Sequence, residues 1–252
     1  SIKIPSGVKY IGSQAFYWCS SLASIEIPSS VTSIEALAIS KNTVIYVQAD
    51  SKAHKYAEEG KYAYVLSGNA NNISTNYKIE EEKIWDISKN QDGSVMAKWT
   101  LSDKVLDISG NGEMKSWESN DESEWSENNC IKLIKKITIE DGVNNIGERA
   151  FKECTSVTSV EIPSSVTSIG SSAFYKCSSL TSIKIPNSVT SIGGYAFYEC
   201  SSLMSIEIPS SVTSIGSGVF MRCTSLIEIK VDINNEKYAD ENGILYDKNK
   251  TK

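Results

Sequence analysis

Ile162-Pro163-Ser164-Ser165-Val166-Thr167-Ser168-Ile169-Gly170 returns as Ile185-Pro186-Asn187-Ser188-Val189-Thr190-Ser191-Ile192-Gly193, and again as Ile208-Pro209-Ser210-Ser211-Val212-Thr213-Ser214-Ile215-Gly216. The period is 23 residues, and Cys154, Cys177, Cys200 and Cys223 keep it too. Ala173-Phe174, Ala196-Phe197 and Val219-Phe220 stand between the copies, each Phe three residues before its Cys. A fixed period of this length marks stacked units, each unable to bury its own apolar edge. In one unit, Ile183-Lys184-Ile185 alternates as a strand with one buried face. Pro186 ends the pairing because it has no N–H to donate. Val189 and Ile192 face inward again, and Gly193 is expected to permit a tight backbone turn. Phe197 and Cys200, three apart, suggest a helical or 3₁₀ turn with an apolar inner side. Stacking then sets Ile on Ile, Phe on Phe and Cys on Cys, with about 1.5–3 kcal/mol for each large apolar side chain buried.

The outward residues of the strand carry charge. Glu161, Lys184, Glu207 and Lys230 fall in one column of alternating sign. With rungs about 4.8 Å apart, the expected arrangement is a charge ladder that stabilises register. The competing reading is a ligand-binding stripe on the strand face.

The pattern Leu-x-x-Ile-x-Ile-Pro-x-x-Val-x-x-Ile-Gly-x-x-Ala-Phe-x-x-Cys resembles the BspA-type leucine-rich repeat, also called the Treponema pallidum type, over about 1–42 and 131–231. The fold class read from it is a repeat solenoid: leucine-rich units of 23 residues built from short parallel strands plus turns or 3₁₀ segments. The resemblance implies an extracellular or surface-attached bacterial protein used for adhesion to host proteins or to other microbes.

The repeats fall in two blocks. Residues 1–42 open mid-unit, so an N-terminally truncated array is expected, and their second unit decays: Glu35 stands where Gly is expected and Ile39 replaces Phe. Decay of this kind marks a terminal repeat. Residues 43–66 read as a strand–helix–strand terminal cap, with Asp50 or Ser51 capping the helix and Gly60 ending it. Residues 67–77 are rich in Ser, Gly and Asn and read as a linker. Residues 78–130 read as a β-rich capping module, similar to the segment that precedes many arrays of this type, covering the open edge of the next block. Residues 131–231 are the second repeat block. Residues 232–252 read as a truncated β-hairpin insertion with its turn near Asn242-Gly243. The expectation is a piece of a longer protein.

The chain has 252 residues, 40% hydrophobic and 22% charged, with a net charge of −6. Nucleic-acid binding is not expected, because no basic face is available to neutralise phosphates; Lys132, Lys135 and Lys136 are the densest cationic group. No apolar run reaches the roughly 20 residues of a membrane span. The lone histidine, His54, sits beside Lys52 and Lys55 and is expected to be solvated. No Gly-x-Ser-x-Gly elbow and no short-spaced Cys/His cluster accompanies it, so no catalytic residue, cofactor or metal is assigned. The cysteine column reads as buried thiols acting as small hydrophobes, although adjacent rungs lie within disulfide range. Glu118, Asp121, Glu122, Glu124 and Glu127 lack the spacing of a calcium loop and read as a solvated segment. Asn72-Ile73-Ser74 matches a glycosylation sequon.

The candidate partner-binding residues are Trp117, Trp125, Tyr175 and Tyr198. If exposed, the tryptophans would anchor a partner; if buried, they fasten their loop, which is the favoured reading. Tyr17, Tyr175 and Tyr198 follow the repeat Phe and form an aromatic column near the turn-side surface. The function expected is a non-enzymatic surface or secreted scaffold, engaging a protein or glycan on another cell. The alternative is an architectural spacer.

Overall fold

Each rung of the second repeat block is tied to its neighbours by ladders of backbone hydrogen bonds, and their register follows from the 23-residue period. The protein is seen in a computed structural model that describes residues 1–67, 82–118 and 123–248, without the side chains of 127–129. The sequon, most of the linker reading, Asp121, Glu122 and the side chain of Glu127 lie outside the described residues. Two compact units are present: Ser1–Glu81 with Trp125–Leu133, and Glu82–Glu124 with Ile134–Lys252.

In the first unit, Ile2–Lys3, Ser24–Ile27, Val44–Gln48 and Tyr64–Ser67 form a parallel sheet in that order. A second short pair, Tyr10–Ile11 with Ser33–Ile34, lies one turn further along each rung. The helix Lys52–Glu59 joins the last two strands of the sheet, and its N-cap Ser51 accepts from His54 N. That helix buries Ala53, His54 and Ala57. A 3₁₀ helix over Glu124–Lys132 contributes its later residues to this unit, and Lys132 Nζ donates to Asn42 O at 3.1 Å.

In the second unit, the strands Glu82–Asp86, Val95–Thr100 and Val105–Gly110 pair antiparallel, with Trp99 opposite Leu106. Val105–Gly110 then pairs in parallel with Lys136–Ile139, and that strand with Ser159–Glu161. The longest ladder within the repeats is the second one along each unit: Asn145–Ile146, Ser168–Ile169, Ser191–Ile192 and Ser214–Ile215, all parallel and in register. One expectation needs correction. Ile183 and Ile185 are buried and Lys184 exposed, but no strand pairing forms there. The backbone bond Met204 N→Thr181 O, at 3.2 Å, bridges to the next rung. The sequence of this rung does not distinguish it from its paired neighbours. Beyond the repeats, Tyr238–Glu241 and Ile244–Asp247 form an antiparallel hairpin. Asn242 and Gly243 both have positive φ, as a two-residue type I′ turn requires.

The core is a set of columns. Phe151, Phe174 and Phe197 are fully buried and stack at 5.4 Å, with Phe220 following at 5.9 Å. Beside them, each thiol donates one rung back: Cys177 Sγ to Phe151 O, Cys200 Sγ to Phe174 O, and Cys223 Sγ to Phe197 O, at 3.0–3.2 Å. The described cysteines are free, and burial pushes the Cys177 thiol well above its usual range. Cys19 does not share this environment and is exposed.

The repeat glycine also needs a corrected reason. Gly170, Gly193 and Gly216 do not have positive φ. A Cβ on Gly193 would stand 2.4 Å from Ser171 N, and one on Gly216 2.3 Å from Gly194 N. Glycine is there because successive rungs come too close for any side chain. The left-handed residues lie elsewhere, at Tyr195 and Glu199 in this rung and at the equivalent Ser172 and Lys176 in the one before. They make two β-turns, closed by Ala196 N→Gly193 O and Cys200 N→Phe197 O, where the Phe–Cys spacing suggests a helical or 3₁₀ turn.

The Ser/Thr content of the repeat has a structural use as well. Ser165, Ser188 and Ser211 hydroxyls donate to Val143, Val166 and Val189 carbonyls at 2.6–2.7 Å. Thr167, Thr190 and Thr213 do the same to the previous rung.

Candidate binding surface

The two β-turns of each rung decide which side chains reach solvent on the turn side. Phe197 points into the core, so Tyr198 and Glu199 after it face outward. The left-handed backbone at Glu199 turns its N–H to Met221 O of the next rung, and Lys176 N does the same to Tyr198 O. Repetition then builds outward columns: Lys152, Tyr175, Tyr198 and Met221 in one, and Glu153, Lys176, Glu199 and Arg222 in the next.

Tyr175 and Tyr198 are half-buried and stack at 4.7 Å with 8° between planes. Tyr195, an exposed residue, meets Tyr198 edge-on at 5.8 Å. Arg222 lies 5.6 Å from the Tyr198 ring centroid and 2.7 Å from Glu199 Oε1. Its hydrogen bond holds the Glu199 carboxyl below the usual carboxylate range, while desolvation raises the Tyr198 phenol. Lys176 Nζ stands 5.4 Å over Tyr175. Below Tyr175 the column changes to Lys152, and a space of about 350 Å³ opens there, lined by Arg149, Lys152, Glu153, Ser172, Tyr175 and Lys176.

The other sequence candidates fall elsewhere. Trp117 and Trp125 are 4% and 0% exposed, so neither presents a surface to a partner. Trp117 Nε1 donates to Glu124 Oε2 at 3.1 Å, and its carbonyl accepts from Arg149 at 2.8 Å. Both indoles are packed inside the protein, and for Trp117 the carboxylate of Glu124 receives the N–H. Tyr17 belongs to the first unit and packs edge-on against Trp18 at 5.2 Å. Trp18 itself is 83% exposed and was not singled out in the sequence. The usable signal was its position: it fills the outward slot equivalent to Glu153 and Lys176.

His54 is not solvated, contrary to expectation: it is 2% exposed. The apolar face of the helix carries it inward between Ala53 and Ala57, against Tyr64 at 5.1 Å. Its Nδ1 accepts from Asp50 N at 3.1 Å, and its Nε2 lies 3.4 Å from Glu58 Oε1. Ser51 serves as helix cap, its hydroxyl accepting from His54 N. Ser51 and His54 thus both bond to the backbone at the start of this helix, Ser51 Oγ accepting from His54 N and His54 Nδ1 from Asp50 N. Among the described residues, no three of His, Cys, Asp and Glu gather as a metal site, and no helix is long and apolar enough to cross a membrane.

The charge column on the strand face does not form a continuous ladder. Glu161 pairs with Lys136 at 2.7 Å, and Lys230 with Glu228 of its own strand at 3.3 Å. Lys184 sits on the segment that forms no strand pairing. Exposed ion pairs are worth only about 0–1 kcal/mol, so side chains take whichever partner is nearest. In the first unit, Lys3 and Glu26 do pair in register, at 2.8 Å.

Comparison with known proteins agrees with this geometry. No curated protein matches the chain. Among solved structures, a leucine-rich repeat protein from Eubacterium ventriosum is similar at 32% identity with a TM-score of 0.55; 68% of this chain is covered, which spans 49% of that protein's length. A leucine-rich cell surface protein from Faecalibacterium prausnitzii is 26% identical over 92% of this chain and 59% of its own, with a TM-score of 0.45. A leucine-rich repeat protein of T. pallidum is 26% identical over 55% of this chain and 69% of its own, with a TM-score of 0.41. The family model for the BspA type leucine rich repeat region matches six copies over residues 1–86 and 127–242. With its 23-residue rungs, stacked Phe and Cys columns and this match, the chain belongs to the BspA-type leucine-rich repeat family.

Proposed function

We propose that this chain is a non-enzymatic scaffold, displayed on a bacterial surface or secreted, whose turn side engages a partner on another cell. The carrying observation is the outward aromatic and cationic column Lys152–Tyr175–Tyr198, flanked by Lys176, Tyr195 and Arg222 and held by the hydrogen bonds between rungs. Aromatic and guanidinium groups on a rigid backbone are the side chains that concentrate binding energy at interfaces. A surface location and an adhesive role come from the family resemblance. The spacer reading draws on a separate observation, the burial of both Trp117 and Trp125.

Beads coated with the purified chain, applied to cultured epithelial or bacterial cells, separate the two readings. Binding that soluble chain competes away, and that Tyr198→Ser weakens, supports the scaffold. Adhesion no greater than that of albumin-coated beads contradicts it and favours the spacer.

A further inference from the structure

The turn-side space between two neighbouring rungs has a defined chemistry. Its lining is three aligned pairs, each 23 residues apart: Arg149 with Ser172, Lys152 with Tyr175, and Glu153 with Lys176. The Tyr stack stops at Tyr175. One face of that ring covers Tyr198 at 4.7 Å, while its column neighbour on the other side is the flexible Lys152. The aromatic column is thus interrupted where the space of about 350 Å³ begins, a volume at the small end of the roughly 300–1,000 Å³ of ligand pockets.

Three cations and one carboxylate line this space, in a chain whose net charge is −6. Arg149 Nη1 donates to Trp117 O at 2.8 Å and stands 3.9 Å from Glu148 Oε2, which fixes the group and leaves its other nitrogens as donors. Among the described residues, no carboxylate lies within ion-pair distance of Lys152 or Lys176. The local field therefore selects an anion. Ser172 and Tyr175 add hydroxyls, and Glu153 adds an acceptor.

We propose that this space is a subsite for an acidic sugar, a hexuronate unit of a glycan, stacked on Tyr175 as the next layer of the tyrosine column. The proposal rests on the scaffold reading above and names its ligand class. The sugar's C–H face covers the tyrosine ring, its carboxylate meets Arg149, Lys152 and Lys176, and its hydroxyls donate to Glu153. The same Glu153 argues against an acidic peptide segment, which would bring carboxylates to it and no hydroxyl donors.

The test is a titration of the whole chain with a hyaluronan hexasaccharide, which alternates glucuronate and N-acetylglucosamine, at about 0.15 M salt. Chitohexaose is the neutral control and hexaglutamate the acidic non-sugar control. The expected result is hyaluronan binding about tenfold tighter than either control, lost by about tenfold in the double variant K152Q/K176Q. Gln keeps an unbranched side chain at the left-handed position 176, so the variant should melt with the parent to within about 2 °C. Tyr175→Leu, which keeps an apolar cover but no ring, should weaken binding as well. Equal binding of chitohexaose, equal binding of hexaglutamate, unchanged affinity in K152Q/K176Q, or no hyaluronan binding would each overturn the proposal. Bead adhesion that persists when hyaluronan fails would sink only the sugar and leave the scaffold standing.

Discussion

Gly193→Ala tests the packing of the rungs with a single methyl group. A Cβ at this position would stand 2.4 Å from Ser171 N and 2.7 Å from Gly170 C, both backbone atoms of the preceding rung. Ordinary contact needs about 1 Å more, which must come from opening the stack. That movement stretches Gly193 N→Ile169 O, now 2.8 Å. Overpacking costs about 1–3 kcal/mol and a weakened buried hydrogen bond about 1 kcal/mol, so about 3 kcal/mol is expected. With a urea m-value of about 2 kcal/mol/M, the midpoint should fall by about 1.5 M. Gly194→Ala, one residue later, meets its nearest backbone atom at 3.3 Å and should cost under about 1 kcal/mol. Gly193→Asn separates the two explanations of this glycine. Were a left-handed conformation the reason, Asn would be the better tolerated of the two; with space as the reason, Asn is worse than Ala. Urea unfolding followed by circular dichroism reads all three. A midpoint for Gly193→Ala within about 0.3 M of the parent, or an Asn variant more stable than the Ala one, would refute the close-approach argument.

Further outcomes follow from the columns. Without denaturant, iodoacetamide should label Cys19 and leave Cys154, Cys177 and Cys200 unmodified by mass spectrometry, because the first is exposed and the others are buried; labelling of all at equal rates would contradict the stack. The buried thiols of Cys154, Cys177 and Cys200 make stability pH-dependent. Their folded pKa values are raised, so their contribution is complete below the unfolded thiol value of about 8.5 and is lost as pH rises above it. Melting temperatures measured from pH 7 to 10 should fall across that window, and Cys177→Ala should flatten the slope. Asn235→Ala removes donors to Pro209 O and Val212 O and acceptors for Lys237 N and Tyr238 N at a fully buried site. It should cost about 2–4 kcal/mol in urea titration, with unchanged stability the contrary result.

The period and its apolar columns were legible because they are written in residue identity: Ile, Phe and Cys recur at fixed spacing, and stacking like on like is the only way to bury them. Gly193 was seen but misassigned. Glycine answers either to backbone conformation or to lack of space, and the second is a property of the neighbouring rung, invisible in one unit. The Ser and Thr columns carry no apolar signal and no assigned role in the sequence, yet their hydroxyls close onto carbonyls of the previous rung. His54 was misjudged because two flanking lysines suggested a polar face, whereas the spacing of Ala53, His54 and Ala57 placed it inward. Of the binding candidates, Tyr175 and Tyr198 were legible as a column. The space beside Tyr175 was not, since it arises where Lys152 interrupts the aromatic series. Trp18 gives no repeat signal, because it is the odd residue in an outward slot filled elsewhere by Glu153, Lys176 and Glu199.

The most direct test of the account is removal of one whole rung. Deleting residues 179–201 takes out 23 residues and joins Ser178 to Ser202, keeping every column in register. Deleting 180–201 takes out one fewer and displaces each inward residue that follows. Circular dichroism and thermal melting should show the first deletion folded, with a cooperative transition and slightly lower stability, and the second largely unfolded beyond the junction. Two deletions that fold equally well, or a 23-residue deletion that fails to fold, would contradict a stack held together by register.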